Sequence, residues 1–143
     1  MKNLKTGQLV SVFCGCLFSL SCFAQVALVA GAKSDIPNLT KDQVAALYTG
    51  NSFSLPNGGS ATLLDQSESN EVRKLFYSKI TDKSASQIKS TWSRLTFSGK
   101  ATPPKELGSS AEVKKQVGAN PNTIGYIEKS AVDGSVKVLF SAD

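Results

Sequence analysis

The sequence contains no histidine, and its three cysteines, Cys14, Cys16 and Cys22, all fall within the first 24 residues. The missing imidazole removes the usual general base and the commonest metal ligand. Beyond residue 24 there is also no thiol nucleophile and no disulfide. Runs of like charge are missing too. Lysines and arginines are scattered with acids between them, so no basic stripe marks a nucleic-acid surface, and none is expected to bind. The remaining chemistry would have to come from carboxylates, and Asp65, Glu68 and Glu71 lie close together. Glu68 and Glu71 are expected in a first helical turn, where the helix dipole favours acids, so a catalytic pair is not expected. No enzyme, cofactor or metal site follows from these residues.

The N-terminal segment reads as a targeting signal. Lys2 and Lys5 form a basic start, and residues 9–24 form an apolar stretch ending in Cys22 and Ala24. Small residues at those two positions suit cleavage after Ala24. The stretch is short against the roughly 20 apolar residues of a membrane span. An uncleaved anchor and lipid attachment at Cys16 are the alternatives. Residues 1–24 are thus expected to be a signal peptide and residues 25–143 one domain, periplasmic or secreted. With Lys2 and Lys5 gone, 14 basic residues face 11 acids, a weak +3. About 119 residues are enough for one core without staples.

Along that domain, Val26–Ala30 reads as a buried strand, followed by a loop with Gly31 and Pro37. Thr40 and Gln43 predict a capping box, with Leu39 stapled onto Val44 and Gly50 as the left-handed stop. Leu55–Gly59 is a turn by composition, and Ala61–Asp65 is a second strand. Val72, Leu75, Phe76 and Ile80 keep helical spacing. Ser84 with Gln87, and Ser109 with Glu112, predict two more capping boxes; Ala85, Ile88, Trp92 and Leu95 line the helix that the first of them opens. Thr123–Glu128 and Val136–Phe140 are the last two strands, on either side of a loop with Asp133 and Gly134. Such interleaving predicts an α/β layered domain. Trp92 and Phe97 are expected in the core, with a partner surface as the alternative, and Lys89 and Arg94 on a solvated face.

The junction Asp65–Glu71 stands apart. Small polar residues here join a strand to a helix, and a helix N-terminus offers free amides and a positive dipole end to an anion. Ser67, Ser69 and Asn70 would add side-chain donors. Capping of the helix by Asp65 or Ser67 is the plainer alternative.

The spaced elements Trp92, Phe97, Gly99, Lys100, Pro103, Pro104 and Asn120, Pro121, Ile124, Gly125, Tyr126 resemble small secreted proteins related to phosphate ABC transporter substrate-binding proteins. The likeness covers nearly all of residues 25–143. It implies a single lobe of the type 2 periplasmic-binding-protein fold, a central mixed sheet flanked by helices. It also implies an oxyanion such as phosphate held at Gln66, Ser67, Glu68, Ser69 and Asn70. In the larger relatives the corresponding turn runs Arg-Ser-Asp-Gly-Ser-Gly-Thr. Here Ser67 matches and Glu68 keeps an acid, but Gln66 replaces the arginine, Asn70 a serine, Glu71 a glycine and Val72 a threonine. Loss of a bidentate arginine and gain of a carboxylate imply weak binding. A single lobe cannot close on a ligand alone, so a protein partner, a second copy or a membrane transporter would supply the other wall. A periplasmic accessory module that has lost tight binding is the alternative.

Overall fold

In the computed structural model, residues 25–143 are described; the expected signal peptide, residues 1–24, lies outside them. Strand β1 (Val26–Gly31) is the pivot of a five-stranded sheet that also contains β2 (Thr62–Gln66), β3 (Lys105–Leu107), β4 (Thr123–Glu128) and β5 (Val136–Ala142). The order across the sheet is β3-β2-β4-β1-β5. β1 runs antiparallel to both β4 and β5, whereas β2 runs parallel to β3 and β4. A mixed sheet results, as expected.

Alternation along β1 explains the layering. Val26, Leu28 and Ala30 enter one apolar cluster, and Ala27 and Val29 enter another on the opposite face. A strand buried on both sides reads as a continuous apolar run. On the larger face lie α1 (Lys41–Tyr48), α2 (Glu71–Thr81) and α3 (Ala85–Phe97). They contribute Val44, Tyr48, Phe76, Ile80, Ile88 and Trp92 to the first cluster. The other face is covered by α4 (Ser110–Ala119), through Val113 and Val117, both fully buried. Each of those valines contributes about 1.5–3 kcal/mol by leaving water.

Local signals place the helices. Thr40 and Ser84 close the reciprocal capping boxes expected of them, and Gly50 takes φ 72° after α1. The box at Ser109 is only half formed. Ser109 Oγ accepts from the Glu112 amide, but Glu112 turns its carboxylate to the Gly108 amide, 2.7 Å away. Gly125 lets α4 sit close on β4: a Cβ there would lie 2.5 Å from Val113 Cγ1. The three-residue β3 was not expected. Lys105, Glu106 and Leu107 carry little strand propensity, and they are extended because they pair with Leu64, Asp65 and Gln66. No helix among the described residues is long and apolar enough to cross a membrane.

Candidate functional site

The C-terminal end of β2 carries a buried carboxylate. Asp65 is 3% exposed, facing the side of the sheet where the three tyrosines of the chain gather. Tyr77 donates its hydroxyl to Asp65 Oδ2 at 2.6 Å, Tyr126 donates to Oδ1, and the Gln66 amide reaches Oδ1 at 2.8 Å. Arg73 Nη1 stands 3.4 Å from Oδ2. Burial raises the Asp65 pKa above its ordinary value, against the opposing pull of Tyr126, Tyr77, Arg73 and the Gln66 amide. Burial and the neighbouring Asp65 charge push Tyr77 and Tyr126 well above the usual phenol range. All three groups are held in one buried hydrogen-bonded cluster.

The rings are fixed by packing. Tyr126 stacks on Phe76 with centroids 4.0 Å apart and planes 5° from parallel. Tyr48 meets Phe76 edge-on at 4.8 Å and donates its hydroxyl to the Leu64 carbonyl at 2.9 Å. Buried tyrosines need such acceptors, and here the backbone and Asp65 supply them.

Arg73 leaves the first turn of α2 and is 4% exposed. Its Nη1 donates to the Gln66 carbonyl at 2.9 Å and to Glu106 Oε1, on β3, at 2.8 Å. Its guanidinium also lies 5.4 Å from the Tyr77 ring centroid. Nε is buried and finds no acceptor among the described residues. Sequence reasoning missed this arginine. The available signal was that Arg73 and Tyr77 each follow a core position of α2, Val72 and Phe76, at the same four-residue interval.

The five residues expected to hold an oxyanion lie where β2 passes into α2, but they are not alike. Gln66 is fully buried. Its Nε2 donates to the Tyr126 carbonyl at 2.9 Å and to Ser110 Oγ at 3.1 Å, while Oε1 accepts from Asn70 Nδ2 at 2.7 Å. Asn70 also caps α2, with Oδ1 accepting from the Val72 amide at 3.0 Å. The cap is thus Asn70, not Asp65 or Ser67: β2 continues through Gln66, and a turn intervenes before the helix. Glu68 consequently precedes the helix instead of joining its first turn. It is exposed and pairs with Lys89 of α3 at 3.1 Å. Ser67 donates its amide to the Leu107 carbonyl at 3.0 Å, and Ser69 is exposed. The amides of Glu68, Ser69 and Glu71, and both serine hydroxyls, donate to nothing among the described residues. The three neighbouring acids do not converge: Asp65 is buried, Glu68 pairs with Lys89, and Glu71 with Lys74 at 2.8 Å.

Beside this junction a cavity of about 440 Å³ opens between α2, α3 and the Pro103–Pro104 segment. Asp65, Glu68, Arg73, Lys89 and Glu106 give it charge, and Trp92 and the two prolines give it apolar walls. Trp92 belongs to the core as expected, at 6% exposure, with Nε1 donating to the Tyr48 carbonyl at 3.0 Å. Phe97 does not. It sits at the end of α3, at the cavity rim, 97% exposed. Among the described residues no group of three histidines, cysteines, aspartates or glutamates is placed to hold a metal ion.

The mixed sheet with helices on both faces matches about one lobe of a periplasmic solute-binding protein. Three solved structures show the likeness. One is a phosphate ABC transporter substrate-binding protein with bound phosphate from Clostridium perfringens, with TM-score 0.62 and 22% identity over 81% of this chain and 45% of that one. An ABC-type phosphate transport receptor from Vibrio cholerae gives TM-score 0.62 and 22% identity, over 81% and 46% of the two chains. PstS from Borrelia burgdorferi gives 0.57 and 15%, over 81% and 47%. The chain thus spans a little under half the length of these proteins. No family model and no curated protein matches the sequence.

Proposed function

We propose that this chain is a non-catalytic, solute-binding-type protein of the cell envelope, exported by a signal peptide at residues 1–24, whose Gln66–Asn70 loop holds a small oxyanion such as phosphate weakly. The observation that carries the reading is the set of uncommitted donors at the start of α2: the amides of Glu68, Ser69 and Glu71 with the hydroxyls of Ser67 and Ser69. Such donors at the positive end of a helix suit an anion. The likeness to a phosphate-loaded structure agrees with it. Weakness follows from the same loop. Gln66 and Asn70 spend their side chains on each other and on the fold, and Glu68 and Glu71 bring negative charge. An open lobe also leaves a ligand half in water.

Calorimetric titration of the purified protein with phosphate, sulfate and a chloride control tests this. Millimolar saturable binding of phosphate, about −4 kcal/mol, is expected, with loss on Ser67→Ala. Flat traces would defeat it.

A second reading, a periplasmic interaction module without a tight ligand, is favoured by one observation. Phe97 is 97% and Phe53 56% exposed, close to neighbouring hollows that share Trp92, Pro103 and Pro104. A partner protein, a second copy or a membrane transporter would cover that face. Envelope extracts passed over immobilised wild type and Phe97→Ser would distinguish the readings: a partner lost with Phe97 supports the module.

A further inference from the structure

We infer that the face carrying Phe97 is a self-association surface, on which a second copy of this chain docks by placing its own Phe97 in the cavity between α2, α3 and Pro103–Pro104. The inference rests on the reading of this face as an interaction surface and names its partner.

The charges of the face call for no charged ligand. Lys89 pairs with Glu68 at 3.1 Å, and Arg73 is held between Asp65 at 3.4 Å and Glu106 at 2.8 Å. What is left unsatisfied is apolar. Three large apolar side chains are exposed among the described residues, and two of them belong to this face: Phe97 lines the cavity, and Phe53 lines the hollow next to it. The two hollows, about 440 and 340 Å³, share a wall of Trp92, Pro103 and Pro104. Contiguous apolar surface of this kind marks an interaction site, whereas single exposed side chains do not.

A second copy is singled out because knob and hole lie on the same face. A two-fold dimer buries one patch against itself, so whatever protrudes must fit a recess in that same patch. Phe97 ends α3, one turn beyond Ser93, which lines the same cavity. At 97% exposure its ring leaves its own cavity unfilled. With the two-fold axis passing between ring and cavity, each ring enters the other copy's hollow, and both contacts form together.

Charge agrees. Three acids, Asp65, Glu68 and Glu106, and three bases, Arg73, Lys89 and Lys105, line the two hollows, whereas residues 25–143 together carry +3. A strongly acidic or basic partner meets no field of either sign here, and a second copy brings no net repulsion. Area sets the strength. An aromatic side chain buries about 150–250 Å², so two Phe97 rings supply roughly 300–500 Å² of the roughly 1,200–2,000 Å² in a standard interface. Phe53, the prolines and the surrounding helix surface supply the rest, which suits a reversible dimer.

Sedimentation of the purified protein from about 1 μM to about 1 mM spans the strengths expected of such an interface, and a monomer–dimer equilibrium is expected within it. Phe97→Ser removes the knob, and Ser93→Phe fills the hole. Both positions are exposed, so circular dichroism should show both variants folded; Thr96→Trp, also exposed and lining the cavity, replaces a Ser93→Phe that is not. Each variant is expected to dimerise at least about tenfold more weakly than wild type, since neither homodimer keeps a ring in a hollow. Mixed together, the two should associate more tightly than either alone. The hole-filled copy keeps its Phe97 and the knobless copy keeps its cavity, so one of the two contacts returns. A protein that stays monomeric throughout overturns the proposal. So does a dimer that both folded variants leave intact, or a mixture no tighter than its parts. A monomeric protein that still captures a Phe97-dependent partner from envelope extracts would defeat the second copy and leave the wider reading of the face standing.

Discussion

Tyr77 donates its hydroxyl to Asp65 across 2.6 Å, and each residue is essentially without solvent. The pair joins the middle of α2 to the end of β2, and so fixes the helix over the sheet edge from which the candidate sites are built. Tyr77→Phe keeps the ring and its contact with Arg73 while deleting one of the donors that satisfy Asp65. Urea unfolding is expected to show a loss of about 1–3 kcal/mol, the cost of a buried charged acceptor left short of a donor. The Asp65 pKa is expected to move further up in the variant.

Two aspartates are expected to titrate in opposite directions. Burial raises Asp65 above 3.8 in the folded protein. The native state therefore prefers its proton, so stability from this group grows as pH falls through the raised value and is fully gained below 3.8. Asp133 is lowered, first by its hydrogen bond to Lys114 and then by those to Ser135. Its contribution is present above 3.8 and lost as pH falls towards the lowered native value. Carbon-13 NMR of the carboxyl groups should place the two midpoints on either side of 3.8. The melting-temperature gap between wild type and Asp133→Asn should close on acidification.

Gly125 is expected to tolerate no side chain. A Cβ would meet Val113 Cγ1 at 2.5 Å and Leu64 Cβ at 3.2 Å, forcing α4 away from β4. Gly125→Ala should cost about 1–3 kcal/mol by overpacking. Combined with Val113→Ala, which removes the colliding methyl, the loss should be smaller than the sum of the two single changes. Chemical denaturation of the four proteins closes the cycle.

Asn70 serves two partners at once, the Val72 amide and Gln66 Oε1. Asn70→Ala should destabilise by about 1–2 kcal/mol through the lost cap, and leave Gln66 Oε1 short of a donor. Asn70→Ser keeps a capping oxygen and loses only the donation to Gln66, so guanidinium denaturation should place it between wild type and Asn70→Ala.

What the sequence made legible was what depends on neighbours in the chain. Thr40 with Gln43 and Ser84 with Gln87 form their boxes because a cap needs only a three-residue spacing. The apolar run Val26–Ala30 likewise declared a strand covered on both faces. What stayed hidden depends on the other side of the sheet. Gln66 is buried because β2 runs two residues past its last apolar residue, Leu64, and its partners, Tyr126 and Ser110, are more than 40 residues away. Lys105–Leu107 is a strand only because β2 is beside it. Phe97 looked like core by its size, yet α3 ends there and nothing among the described residues lies over it. Arg73 would pass for a surface charge until Asp65, itself buried from another strand, gives it a counterion.

The place of β1 has a consequence for how the molecule is assembled. The first strand lies between β4 and β5, the last two, with Val26 opposite both Glu128 and Ala142. A chain delivered from its N-terminus has nothing to pair with β1 until almost all of it has emerged. Strand β1 then remains an exposed apolar ribbon through most of synthesis. Contacts so distant in sequence make folding slow and late, since the long loop must close before any of them forms. Until the last strands emerge, that apolar strand is open to aggregation, the hazard against which chaperones guard a nascent chain.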